Sequence, residues 1–340
     1  MQTDSGHSRL LSLDAVSCIM AAVALWLVMQ QGLLAALFSG LLVYSLVQLL
    51  APMFGRRLVA RRAQMIVVAL LSVVIVAVLI AAIWGAIAFF RSDAGSIPVL
   101  MKKLADILEA SRSQIPAWLA AYVPVDAAAL HDMLVGWLHL HAIEARTMGS
   151  IAGRVLAHIL IGMIIGAMAA LYDTTATPSY RPLAAALHAR VVVLHQAFRN
   201  VVFAQVRIAA INAVLTAVYL LLILPLAGVE LPLRKTMVII TFVVGLLPVV
   251  GNLISNTILV VIGLSHSLGI AFASLLFLMG IHKLEYFLNA RIIGQHINAH
   301  TWELLVAMLA MEALFGIPGV IAAPVFYAYL KQELSARGLV

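Results

Sequence analysis

Two stretches of the chain combine side chains that can hold a proton or an ion with residues that interrupt helices. In the first, GLLPVVGNLISN at residues 245–256, Pro248 removes a backbone donor, while Gly245 and Gly251 loosen the chain around it. Interrupting a helix frees carbonyls and amides, which membrane transporters use to coordinate ions and polar solutes. Asn252 and Asn256, at i and i+4, add two amides on one helix face. A kinked span whose asparagines bond a neighbouring helix would carry the same pattern.

The second stretch, residues 282–324, threads Glu285, Asn289, Arg291, Glu303 and Glu312 through apolar sequence, then breaks at Gly316, Pro318, Gly319 and Pro324. A charge at the bilayer centre costs about 2.5–3.5 kcal/mol on insertion scales, so it faces a protein interior or a water-filled path. His282, Glu285 and Asn289 share one helix face. Glu285 reads either as a proton-coupling carboxylate or as an ion-pair partner of Arg291 or Lys283. Glu312, just before the Gly-Pro-Gly break, reads either as a proton or cation carrier or as a partner for opened backbone. Glu303, beside Trp302, reads as interfacial. Gln205, Arg207 and Asn212 form a further polar group, with Arg207 snorkelling to the interface.

The elements that must position these groups are membrane helices. Of the 340 residues, 64% are hydrophobic and only 10% are charged, and several apolar runs approach or exceed the ~20 residues of one span. The net charge of +7 is dispersed over short loops, which excludes a nucleic-acid footprint and reads as topology signal. Cys18 is the sole cysteine, so there is neither a disulfide framework nor a thiolate metal site, and it reads as packing. His131, His139 and His141 lack a supporting acid or cysteine pattern, so no metal or other cofactor is expected. No HExxH, GxSxG, Walker A or GxGxxG pattern recommends catalysis.

The expected fold class is an all-α polytopic integral membrane protein of about eight transmembrane helices. Interrupted or re-entrant helices occupy the C-terminal half, and an external amphipathic helical insert interrupts the N-terminal half. Residues 1–90 hold spans one to three, with a tight hairpin at Gln30, Gln31 and Gly32. Arg56, Arg57, Arg61 and Arg62 mark the following loop, and with it the N-terminus, as cytoplasmic. Residues 91–150 form the extracytoplasmic insert. Residues 151–340 hold the rest: a span at 151–173 with a Gly162/Gly166 contact motif, a cytoplasmic amphipathic helix at 178–200, and spans near 203–228, 236–264, 267–288 and 302–330. Lys331 and Arg337 place the C-terminus inside. Whether 236–264 and 302–330 cross fully or return as re-entrant hairpins is left open by hydropathy.

The chain resembles the AI-2E transporter family, also described as the PerM-type permeases. The resemblance is carried by Pro248 and Gly251 in LLPVVGN; Leu284, Glu285, Asn289, Arg291 and Gly294 in LEYFLNARIIG; His300; and Gly316, Gly319, Ala323 and Pro324 in LFGIPGVIAAP. Asn252, Ala290 and Thr301 stand where many members have proline. The resemblance implies a secondary transporter or exporter of small molecules in a bacterial inner membrane, either a quorum-signal-like metabolite exporter or a sodium (cation)/proton antiporter. It implies a small solute, H⁺ or Na⁺, the bilayer and further copies of the chain as partners. A non-transporting membrane scaffold is the alternative from another class.

Overall fold

A computed structural model describes residues 4–55, 62, 65–75, 77, 84, 136, 142–173, 180–229, 231, 234–246, 250–264, 267–292 and 300–339. Every regular element among them is helical. In chain order these are α1 (Asp4–Gln30), α2 (Leu34–Gly55), α3 (Ala142–Asp173), α4 (Pro182–Val218), α5 (Arg234–Gly245), α6 (Val250–Leu264), α7 (Leu268–Ile292), α8 (Thr301–Phe315) and α9 (Ile317–Ser335). Among the described residues, four candidate spans are long and apolar enough to cross a membrane: Leu13–Gln30, Leu34–Met53, Ser150–Tyr172 and Pro182–Leu226. Shorter apolar helices lie at Met65–Ile75 and Gly269–Ile281. Most of the expected third span and of the 91–150 insert falls outside the described residues.

The chain divides into two units. The first comprises Met1–Ser72, Gly153–Ala204 and Asn289–Val340; the second comprises Val73–Ala152 and Gln205–Leu288. In the first unit, α1 and α2 form the expected tight hairpin. Gly32 adopts φ +65° just past the end of α1, and the Leu33 amide reaches back to the Val28 carbonyl at 2.9 Å. Such a helix end needs a residue free to enter the left-handed region. The Gly162/Gly166 motif is a true contact face. A Cβ at Gly162 would strike the Ala36 carbonyl, and one at Gly166 would strike that of Gly40. The Ser39 hydroxyl donates to the Ile159 carbonyl at 3.0 Å across the same contact, joining α2 to α3. Leu194, Phe198 and Val201 of α4 pack with Val325, Ala328 and Tyr329 of α9.

The amphipathic helix at 178–200 and the span at 203–228 prove to be one continuous helix, not two. Nothing in α4 breaks the backbone between them: the stretch RNVVFAQVR lacks Gly and Pro, and buried residues recur along one face through Leu194, Phe198, Val201, Gln205, Ile208 and Asn212. The regular helix ends in a π turn at Tyr219–Ile223, just before Pro225. A proline ring clashes with the carbonyl four residues earlier, and a widened turn relieves that clash. In the second unit, Tyr219, Leu220 and Leu224 pack with Met237, Leu259 and Leu278. The Tyr219 ring stacks on Phe277 at 4.0 Å, and its hydroxyl lies 3.0 Å from the Ser274 Oγ.

The segments 236–264 and 302–330, whose crossing the hydropathy left open, are each interrupted. Each is a pair of shorter helices, α5 with α6 and α8 with α9. At Gly316 the chain takes φ +64° and ψ −146°, a region open essentially to glycine alone, and α9 folds back along α8.

Candidate functional site

The α8/α9 hairpin is fixed at both ends by local chemistry. At its closed end the Gly316 amide donates to the Glu312 carbonyl at 2.7 Å. Pro318 stands in the first turn of α9, where a missing amide costs nothing. Gly319 is buried so tightly that a Cβ there would strike the Met311 carbonyl. Pro324 is buried within α9. At the open end, Lys331 Nζ lies 2.6 Å from Glu303 Oε2, and the Tyr327 hydroxyl donates to the same carboxylate. Glu303 is therefore half-buried and paired across the hairpin. A spacing of 28 residues matches no helical period, and only the reversal at Gly316 makes Lys331 its neighbour.

Glu312 occupies the last turn of α8, exposed among the exposed apolar residues Leu309, Leu314 and Ile317. In the α5/α6 hairpin, Gly251 approaches the Val244 carbonyl so closely that a Cβ would collide with it. The Gln205 amide donates to the Gly245 carbonyl at 2.8 Å, in a buried position, and so caps the broken end of α5. Asn256 is half-buried on α6, one turn on from Asn252. Pro248 lies outside the described residues. Asn252, Glu285, Asn289 and Arg291 are helical, but their side chains lie outside what the structure describes. Arg207 is exposed, as a snorkelling residue would be.

Sequence reasoning missed an ionic cluster in the first unit. Arg190 lies 2.5 Å from Asp14 Oδ1 and pairs with Glu333; Arg337 lies 2.9 Å from Asp14 Oδ2 and 3.8 Å from Glu333. Cys18, read from sequence as packing, has its Sγ 2.5 Å from Arg337. That contact, opposed in part by burial and supported by Asp14 and Glu333, raises the Arg337 pKa above its ordinary value. Three helices (α1, α4 and α9) meet there, so the only sequence signal is four lone charges at the ends of apolar runs. Nearby in the same unit, Ser45 Oγ lies 2.8 Å from the buried His195 Nε2, with the Tyr44 ring edge-on to the imidazole. Among the described residues, no group of three or more His, Cys, Asp or Glu side chains could hold a metal.

Several long apolar helices, joined to helical hairpins that pivot on buried glycines, define a polytopic membrane protein whose polar groups sit at helix breaks. The chain belongs to the AI-2E transporter family, whose model matches residues 16–336. This is a family of membrane transporters and not of enzymes. No curated protein and no solved structure matched the chain.

Proposed function

We propose that the protein is a secondary-active exporter of a small molecule in a bacterial inner membrane, with α8/α9 and α5/α6 as re-entrant hairpins. The observation that carries this reading is the exposed Glu312 at the closed end of a hairpin with short arms. The 15 residues of α8 and 19 of α9 extend only about 22 and 28 Å at 1.5 Å per residue. The hydrocarbon core is ~30 Å thick, and the arms are tied together at the Glu303–Lys331 end. Glu312 then sits roughly 13 Å deeper than Glu303, where an exposed carboxylate requires water or a polar solute.

Replacing two full spans by two re-entrant hairpins leaves both termini cytoplasmic, because an even number of crossings is removed. It reverses the direction expected for α7 from sequence, so that the chain would leave α7 on the cytoplasmic side. Pro248, Gly251, Asn252 and Asn256 are assigned to the break of the α5/α6 hairpin from their positions in the sequence. Glu285, Asn289 and Arg291 lie at the cytoplasmic end of α7, and Glu312 exchanges H⁺ or Na⁺ at the α8/α9 tip.

The test begins with untargeted comparison of internal and external metabolites with and without the protein. The solute found is then followed in proteoliposomes. Glu312→Gln is expected to insert normally and to lose pH-dependent flux. Unchanged flux removes Glu312 from the mechanism. A cysteine scan of 293–300 labelled from the cytoplasmic side tests the hairpin topology; labelling from the outside alone restores the through-crossing arrangement.

A further inference from the structure

The first half of α4 runs beside the α1/α2 hairpin, and its contacts fix how deep each turn lies. Arg190 meets Asp14, near the start of the first candidate span, at 2.5 Å. Further on, His195 Nε2 lies 2.8 Å from Ser45 Oγ, and Ser45 is about 12 Å along α2 from the Met53 end of the second span at 1.5 Å per residue. The Phe198 ring then packs edge-on against Phe38, close to the Leu34 end of that span. Residues 190–198 thus climb from the edge of the spans past their middle.

At these depths the neighbouring helices expose apolar side chains. α1 exposes Ile19, Val23 and Trp26, and α3, which meets α2 at Gly162 and Gly166, exposes Ile161, Ile164 and Met168. Such faces suit lipid. Beside the apolar Val191, α4 exposes Gln196 and Arg199. His188, also exposed, lies three turns before Arg199, and Gln196 lies one turn before it. All three share the face opposite the inward-facing Arg190, Leu194 and Val201. Arg181, whose carbonyl accepts from the Ala185 amide at 3.0 Å, opens this face, and Tyr180 stacks on His188 beside it.

An exposed amide and guanidinium level with the spans call for water or a polar solute, not hydrocarbon. The sign of the charge then decides what that solute is. α4 holds three arginines, two histidines and no acid. Asp14 and Glu333, which reach α4, are held by Arg190 and Arg337. Among the described residues no acid pairs with Arg181 or Arg199. A guanidinium fork matches the paired oxygens of a carboxylate or phosphate, and the Gln196 amide adds a neutral donor. A lipid phosphate meets Arg181 at the membrane surface but does not reach Gln196, level with the middle of the spans.

We propose that Arg181, His188, Gln196 and Arg199 line a water-filled path along α4 for a small anionic solute, a carboxylate or a phosphate ester. This names a substrate class for the transport reading above and rests on it, whereas water access and charge preference at position 196 are measured without flux.

The test uses the full chain in proteoliposomes, with Cys18→Ala removing the sole cysteine and Gln196→Cys supplying a new one. Two methanethiosulfonates are compared, one carrying a sulfonate and one a trimethylammonium, each rate divided by that with a free thiol. Both are expected to react. The sulfonate should be favoured about tenfold, because a positive charge about 6 Å away through water changes each rate about threefold in opposite senses. Arg199→Gln should remove most of that preference. Arg199→Lys should keep it, and guards against a glutamine variant that fails to fold. Ile164→Cys, on the apolar face of α3, should react with a lipid-soluble maleimide and with neither charged reagent.

A cysteine at 196 that reacts only with the maleimide faces hydrocarbon and overturns the path. One that reacts with nothing is covered by a second copy of the chain and overturns it as well. Equal rates, or a preference for the cation, overturn the anionic class. Untargeted metabolite comparison separates this face from the transport reading. No solute moved, with anion preference intact at 196, sinks transport and spares the face; movement of a neutral or cationic solute past an unreactive 196 does the reverse.

Discussion

The two units differ in whether they bury charge: among the described residues the first buries Lys331 and Glu333 beside Ser17, Ser45 and His195, while the buried polar groups of the second are all neutral. Among the described residues, the first unit encloses charges: Arg190, Glu333 and Lys331, tied to Asp14, Arg337 and Glu303. The second encloses neutral groups: Gln205, Asn212, Thr216, Thr241, Ser255 and Ser274. Charges removed from water are expensive unless paired, so an ionic cluster acts as a clamp whose partners hold one another. Neutral amides and hydroxyls are cheaper to bury and can leave a lone pair directed at something else.

The largest expected effect comes from breaking the clamp. Arg190→Leu removes the more buried of the two arginines that Asp14 and Glu333 share, leaving Arg337, and should cost about 3 kcal/mol of stability in detergent. A loss below about 1 kcal/mol, within the range of exposed pairs, would erase the distinction between the units. Next come the glycine pivots, one in each unit. Gly319→Val and Gly251→Val each drive a side chain into a facing carbonyl, and overpacking of this kind costs about 1–3 kcal/mol. Similar losses at both positions, read from unfolding midpoints, would show that the hairpins share one construction despite their different surroundings.

Gln205→Leu probes the neutral side alone. It strips the Gly245 carbonyl of its buried donor and should cost about 1–3 kcal/mol, together with a change in solute or ion affinity. A stability change without an affinity change would reduce Gln205 to a structural cap. Smallest in stability is Glu312→Gln, expected within about 0.5 kcal/mol because the side chain is exposed, yet with flux lost. A large stability loss instead would move Glu312 into the clamp class.

Much of the architecture was legible in residue types. Gln30, Gln31 and Gly32 announced the first hairpin because the helix end there needed a residue able to enter positive φ. Gly162 and Gly166 announced a close helix contact because only small residues allow one. The breaks around residues 245–251 and 316–319 were readable as breaks, since Pro and Gly act on their own backbone. The continuity of α4 was less legible. Its polar first half and apolar second half look like two elements, while the backbone itself is unbroken from Pro182 to Val218.

Sequence by itself determined that the chain is a helical membrane protein of this transporter family, and where its helices fail. Both follow from composition and from residues that act locally. Tertiary structure alone decided whether a break reverses the chain, because reversal depends on a facing carbonyl accepting the close approach of Gly251 or Gly319. It alone decided which distant charges meet, as with Asp14, Arg190 and Glu333, since pairing across three helices has no period in sequence. And it alone buried the Asn212 Oδ1 without a partner among the described residues, since an asparagine in a helix is ordinary in sequence.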